Sequence, residues 1–384
     1  MEQEHSEHKI DPCRYVYGLD QLTIDDIWNR MLSDISVSRE ISIDALNLLA
    51  DSLTMVRALS AVETGMMDGL LYRDQVLELI REKLGLQPDT KEEDMHLMAW
   101  NDYSQTLEET EGSGEKIAVV YAVGGIESGE GDDETIGSDR IAKALRDARL
   151  DDEVKAIVFR VSSPGGSALA SDVIWRETVL IRESGKPFYV SMGDYAASGG
   201  YYISCNAEKI FASPTTITGS IGVFGVVPNL GKFWSDKIGI THDWYMTNEN
   251  AGVMSMNKPW NATEAKAAQE SVDFIYDDFI AKVSEGRRLD LSRVDSIARG
   301  RVWSGEDAVA IGLVDELGSL TACIDAIAQQ AGLSDYSIAE FPEKLDPMEE
   351  LIRKISSSKN SELRTLMGDH SYLIDDLKSI SSME

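Results

Sequence analysis

Two rhythms of apolar and polar positions divide this chain. Between residues 116 and 214, short apolar runs alternate with stretches of helical period. "KIAVVYAVGGI" (116–126) reads as a buried strand, because its apolar run is nearly unbroken. "SDRIAKALRDARLD" (138–151) is amphipathic at the helical period, with Ser138 or Asp139 placed to cap it. "VKAIVFRV" (154–161) is a second strand and "SSPGGS" (162–167) a tight turn. "ALASDVIWRETVLIRES" (168–184) is a helix stopped by Gly185 and Pro187. "PFYVSMG" (187–193) and "KIFASP" (209–214) are further strands. Strand–helix–strand units of about 30 residues predict an α/β fold with a mainly parallel sheet.

The second rhythm is purely helical and occurs twice. "SAVETGMMDGLLYRDQVLELIREKLGL" (60–86) resembles "DAVAIGLVDELGSLTACIDAIAQQAGL" (307–333) at a constant offset of 247 positions. Ala61 matches Ala308, Gly65 matches Gly312, Asp68 matches Asp315, Gly85 matches Gly332 and Leu86 matches Leu333. Each copy reads as a short helix ending at Gly, a turn bearing Asp, and another helix. A strand-rich module precedes the second copy, but only a short helical stretch precedes the first. The chain therefore reads as one and a half repeats. The expected divisions are a helical remnant and linker at 1–110, the α/β module at 111–334 and a helical acidic tail at 335–384.

Composition narrows the function. The 384 residues carry a formal net charge of -31. That balance argues against nucleic acid and against docking on anionic lipid. The three cysteines, Cys13, Cys205 and Cys323, lie far apart with no CxxC, so neither a zinc site nor a disulfide framework is indicated. Cys205 reads as a buried thiol. No cofactor or metal is expected. No run of apolar residues reaches membrane-span length, and the polar start "MEQEHSEHKIDP" does not read as a signal peptide.

Chemistry concentrates at two strand ends, where open α/β folds bind ligands. One is "SSPGGS"; the other is "GDYAASGGYY" (193–202), in which Ser198 sits among alanines and glycines. Small residues there serve close packing, or they clear room for a carbonyl beside a nucleophile. Glycine amides at the start of a helix favour a developing oxyanion. A serine beside one such amide and facing a second has the geometry of acyl transfer.

Three motifs, "VFRVSSPGGSALASDVI", "VSMGDYAASGGYYIS" and "ASPTTITGSIGVFGV", resemble the signal peptide peptidase A family. These are serine peptidases related in fold to the Clp protease and to crotonases. The resemblance covers roughly residues 115 to 320. It implies a Clp/crotonase-like repeated ββα superhelix with a mainly parallel sheet, plus the N-terminal helical remnant of a duplicated domain. It implies Ser198 as nucleophile, Gly199 and Gly166 as oxyanion-hole amides, and Ser220 and Gly165 as supporting residues. Double-length members are tandem duplications, and residues 27 to 90 look like the end of a first half.

The resemblance also implies a lysine general base. Single-length members place it near what is Ala251 here. Lys258 falls about seven residues later and reads as a solvated surface lysine. Double-length members supply it from the first half, and Lys9 is the only lysine near the equivalent position. Of His5, His8, His96, His242 and His370, only His242 lies in the module, at the expected start of a surface strand in "GITHDWYM". The dyad is thus expected to be incomplete on this chain. The expected function is a serine endopeptidase that cleaves short apolar peptides such as remnant signal peptides, with "GSIGVFGVV" lining a groove. A catalytically incomplete assembly subunit and a crotonase-like acyl-CoA enzyme stand as alternatives. The resemblance further implies a homo-oligomer at a membrane, facing the periplasm or cell exterior, with membrane contact only through an N-terminal part not present here.

Overall fold

The computed structural model describes residues 12–100, 102–103 and 114–342, the side chains of 12–20 and 22 excepted. Residues up to Ala339 form one compact unit, and a second unit begins at Glu340.

The core of the first unit is a sheet in the order β1-β4-β5-β6-β9. Its strands are β1 (Lys116–Val123), β4 (Val154–Ser163), β5 (Phe188–Ala197), β6 (Lys209–Ala212) and β9 (Glu316–Leu317). Each neighbouring pair in that order is parallel. Parallel strands need crossovers, and the helices that supply them cover both faces. Hence Ala118, Val119, Val120, Ile157, Val158 and Phe159 are all fully buried, whichever way they point. Alternate residues Ile117, Val119, Ala156, Val158, Tyr189 and Phe211 pack against Cys323, Ile327 and Ala328 on one face. Two short strands, β2 (Gly125–Glu127) and β3 (Thr135–Gly137), form a separate parallel pair.

The crossover helices are α5 (Ser138–Leu150) and α6 (Ala168–Ser184). Helix α6 has the expected bounds: Ser167 caps it by accepting from the Ala170 amide, and Gly185 ends it at φ 79°. The expected cap of α5 is absent. Gly137 occupies that position, and the Ser138 hydroxyl instead accepts from the Gly129 amide at 3.2 Å. Ser138 thus holds the loop before the helix.

The helical segments are α1 (Pro12–Arg39), α2 (Ile43–Asp51), α3 (Ala58–Glu63) and α4 (Arg73–Leu84) near the start. Helix α1 lies on β8 (Val302–Ser304), where the Ser304 hydroxyl donates to Asp26. Toward the other end are α8 (Ala262–Arg287), α9 (Leu291–Ile297), α10 (Gly305–Ile311) and α11 (Leu320–Ala331), with α7 (Gly199–Tyr202) a single turn in between. Ser337–Phe341 is extended rather than helical, and residues 343–384 lie outside the described residues.

The two helical copies agree in backbone detail. Gly65 and Gly312 adopt φ 77° and 86°, and Gly85 and Gly332 adopt 66° and 71°. Met67 N donates to Ala61 O as Val314 N does to Ala308 O, and Leu86 N to Arg81 O as Leu333 N does to Ala328 O. These pairs all keep the offset of 247 positions found in the sequence.

Candidate active site

Strand β5 runs four residues further than its apolar run, to Ala197. It continues because β7 (Ile217–Gly219) pairs with its end, in a register that sets Ala197 beside Gly219. The Ser198 amide then donates to the Gly219 carbonyl at 2.9 Å, and the next residues in register are Ser198 and Ser220. Ser198 itself has φ 53° and ψ −119°. That region is costly for a residue with a side chain, and it produces a sharp strand-to-helix elbow with the side chain outermost. The Ser198 carbonyl accepts from the Tyr201 and Tyr202 amides, which starts α7 immediately after the serine. Ser220 is also left-handed, at φ 47°, and its amide donates to the Arg301 carbonyl at 2.7 Å.

The small residues around Ser198 have a steric reason. A Cβ on Gly165 would lie 2.8 Å from the Ser198 Cβ and 2.7 Å from the Gly199 amide nitrogen, and Gly165 has φ 103°. A Cβ on Gly199 would come within 2.7 Å of the Ser171 Oγ and 3.2 Å of the Gly166 nitrogen. The two loops therefore touch through their glycines. Close packing by itself therefore accounts for the small residues here.

The amides also point usefully. Ile126 donates to the Gly165 carbonyl at 3.0 Å and accepts from the Ser167 amide at 2.8 Å. Successive residues of a parallel pairing face opposite sides, so the Gly166 N–H is turned away from Ile126. The Gly199 N–H opens a helical turn and has no partner within it.

Ser198, Gly166, Gly199 and Ser220 line one cavity of about 850 Å³. Gly165 lies directly behind Ser198. Val223 and Phe224 of the "GSIGVFGVV" run line it too. One wall is a face of α8, formed by Val272, Ile275, Tyr276 and Phe279. Sequence reasoning missed that wall, although its spacing of three, one and three residues is a helical apolar stripe. At the rim, the Tyr276 hydroxyl donates to Asp295, which Arg299 also pairs. Burial, then the bond to Asp295, pushes the Tyr276 phenol up to about 12, so it stays protonated.

The candidate bases fare differently. Lys258 is not solvated: its side chain is 17% exposed and pairs at 2.8 Å with the buried Glu264. It does not line the cavity. His242 is exposed, but residues 239–246 form no strand; it sits beside Trp244 in a separate cavity. Lys9 lies outside the described residues. Among the described residues, none of those lining the cavity is a lysine or histidine. The thiols of Cys205 and Cys323 are buried, and burial pushes each up to about 12, which makes them inert at neutral pH. Among the described residues no helix is long and apolar enough to cross a membrane, and no group of His, Cys, Asp and Glu could hold a metal ion.

A mainly parallel α/β sheet with a serine elbow at a strand end defines an α/β protein of the Clp protease kind. The profile described as Peptidase family S49 matches residues 181–334. Protease 4 of Salmonella typhi is 36% identical over 351 residues, covering 90% of this chain and 56% of that protein. "Serine protease SPPA, chloroplastic" of Arabidopsis thaliana is 31% identical, covering 94% of this chain and 54% of that protein. A relative in Enterococcus faecium named for signal peptide peptidase SppA is 34% identical, covering 62% of this chain and 70% of that protein. The chain belongs to peptidase family S49. It spans about half the length of the Salmonella and Arabidopsis proteins.

Proposed function

We propose that this chain provides the acylation site of a serine endopeptidase for short apolar peptides such as remnant signal peptides. Ser198 is the nucleophile, and the Gly166 and Gly199 amides receive the oxyanion. Ser220, beside Ser198 in register, helps hold the general base. Gly165 lets the two loops close on each other. The observation that carries the reading is the left-handed Ser198, flanked by two glycine amides at the floor of a cavity with an apolar wall. That wall and Phe224 favour aliphatic or small aromatic side chains near the scissile bond.

A serine hydroxyl needs a base to become a good nucleophile at an amide carbonyl. In this reading the base is a lysine brought to the cavity by another polypeptide. Self-assembly and a membrane-proximal setting on the outer side of a membrane belong to the same proposal. Fluorophosphonates report a serine that a base has activated, so the incubation includes the polypeptide proposed to supply the lysine. Incubation followed by peptide mapping is expected to place one adduct on the segment holding Ser198 and none on Ser198→Ala. An adduct elsewhere, or none on folded protein, overturns the reading. Retention on an acyl-CoA resin in that case points to crotonase-type chemistry.

A further inference from the structure

Lys282 projects from α8 into a contact that reaches beyond its i,i+4 partner Asp278 to two other elements. Its ammonium donates to Asp172 Oδ1 at 2.7 Å, to the Tyr202 phenol oxygen at 2.7 Å and to Asp278 Oδ2 at 2.6 Å. It also lies 4.4 Å from the centre of the Trp175 ring. The Tyr202 hydroxyl donates its one proton to Asp278 at 2.7 Å. Lys282 is 12% exposed and Tyr202 3%.

The partners belong to the two segments that carry the amides. Asp172 lies in the second turn of α6, whose cap Ser167 directly follows Gly166. Tyr202 ends α7, whose first residue is Gly199. We infer that Lys282 is a positioning residue: it ties α6 to α7 and so sets the spacing of the Gly166 and Gly199 amides. The inference rests on the oxyanion role given to those amides above. Such a tie matters because the segments already touch, and tenths of an ångström decide how well two donors converge on one oxygen. Burial acts against the Lys282 charge, but the bonds to Asp172 and Asp278 outweigh it and raise its pKa. Lys282 is therefore a fixed cation at neutral pH and does not serve as the base.

The test compares two ligands on the whole chain. One is a short apolar peptide boronate, which forms a tetrahedral adduct with a serine and places a charged oxygen where the oxyanion sits. The other is the same peptide without the boronic acid group. Lys282→Met is expected to weaken the boronate about tenfold and the plain peptide less than about twofold. The Gly166 and Gly199 amide NMR signals are expected to shift, and Lys282→Arg is expected to restore most of the boronate affinity. Should Lys282→Met fail to fold, Tyr202→Phe carries the test, with an expected boronate-selective loss of about threefold. Equal loss of both ligands, or unchanged boronate affinity with unmoved amide signals, overturns the inference. A boronate that binds wild type no better than Ser198→Ala overturns the proposed nucleophile instead, and the inference falls with it.

Discussion

Residues 58–86 and 305–333 share a backbone path but not a burial pattern. Met67 is 51% exposed, and its counterpart Val314 is 2% exposed. Val76 is 39% exposed, and its counterpart Cys323 is fully buried. The same split holds for the charged tie in each copy. Arg39 pairs with Asp68 at 35% and 92% exposure, whereas Arg287 pairs with Asp315 at 5% and 32%. Asp315 also accepts from the Ile210 amide, and its own amide donates to the Ile210 carbonyl, which fastens that copy to β6. Glycine stops and local hydrogen bonds thus reproduce the path without help. Burial requires a sheet to lie against, and among the described residues only the second copy has one. The copy on the sheet is also joined to the site, because its first helix follows directly on β8, β8 pairs with β7, and the Gly219 carbonyl at the end of β7 accepts from the Ser198 amide.

If the sheet makes the difference, matched substitutions should separate the copies. The largest effect is expected at Ile327, fully buried against the sheet. Ile327→Ala should cost about 3 kcal/mol in a urea titration, against less than about 1 kcal/mol for its half-buried counterpart in Ile80→Ala. Equal costs would break the comparison. Arg287→Met should cost about 2 kcal/mol, because it strands Asp315 at the start of β9, while Arg39→Met should stay within about 0.5 kcal/mol.

The smallest effect probes where α1 meets the sheet. Burial, then the charge of Asp26, raises the Asp307 carboxyl pKa. Its carboxyl then holds a proton more readily in the folded chain than in the unfolded one. The pair opposes folding at neutral pH, and that opposition fades as pH falls through the folded pKa. Asp26→Asn should therefore raise the melting temperature by about 1–2 °C at pH 7. Melting at pH 3.5 should show no gain; a gain of the same size there would contradict the like-charge account.

These contrasts mark how far the sequence could be read. Helix α6 was legible to the residue because Ser167 and Gly185 are local signals. So were the paired glycines of the copies, since each glycine closes its own turn. The cap of α5 was misread because Ser138 answers to Gly129, nine residues earlier in a loop. Lys258 was misread because its partner Glu264, six residues on, is turned back toward it by the capping box with Asn261 that opens α8, a local signal the sequence analysis passed over. The strand expected at His242 finds no partner strand among the described residues. At the candidate site, the close approach of the Ser198 and Gly165–Gly166 loops was legible from their crowded small residues, while the place of Ser220 beside Ser198 depended on a pairing between β5 and β7. Lys282 shows the limit most clearly. Asp278 is visible four residues away on the same helix, but Asp172 and Tyr202 lie 110 and 80 positions distant.

Ser198 is proposed above as the nucleophile of a site whose base comes from another polypeptide. That claim is tested most directly by hydrolysis of a fluorogenic peptide with small apolar residues. Wild type and Ser198→Ala are each assayed alone and with the part of Salmonella typhi Protease 4 that lies outside its match to this chain, added in trans. The account predicts turnover only from wild type with the added polypeptide, about a hundredfold or more above either protein alone. Turnover that survives Ser198→Ala, or its absence from every folded mixture, would contradict the nucleophile. Full turnover by the unaided wild type would place the base within this chain and contradict the second half of the claim.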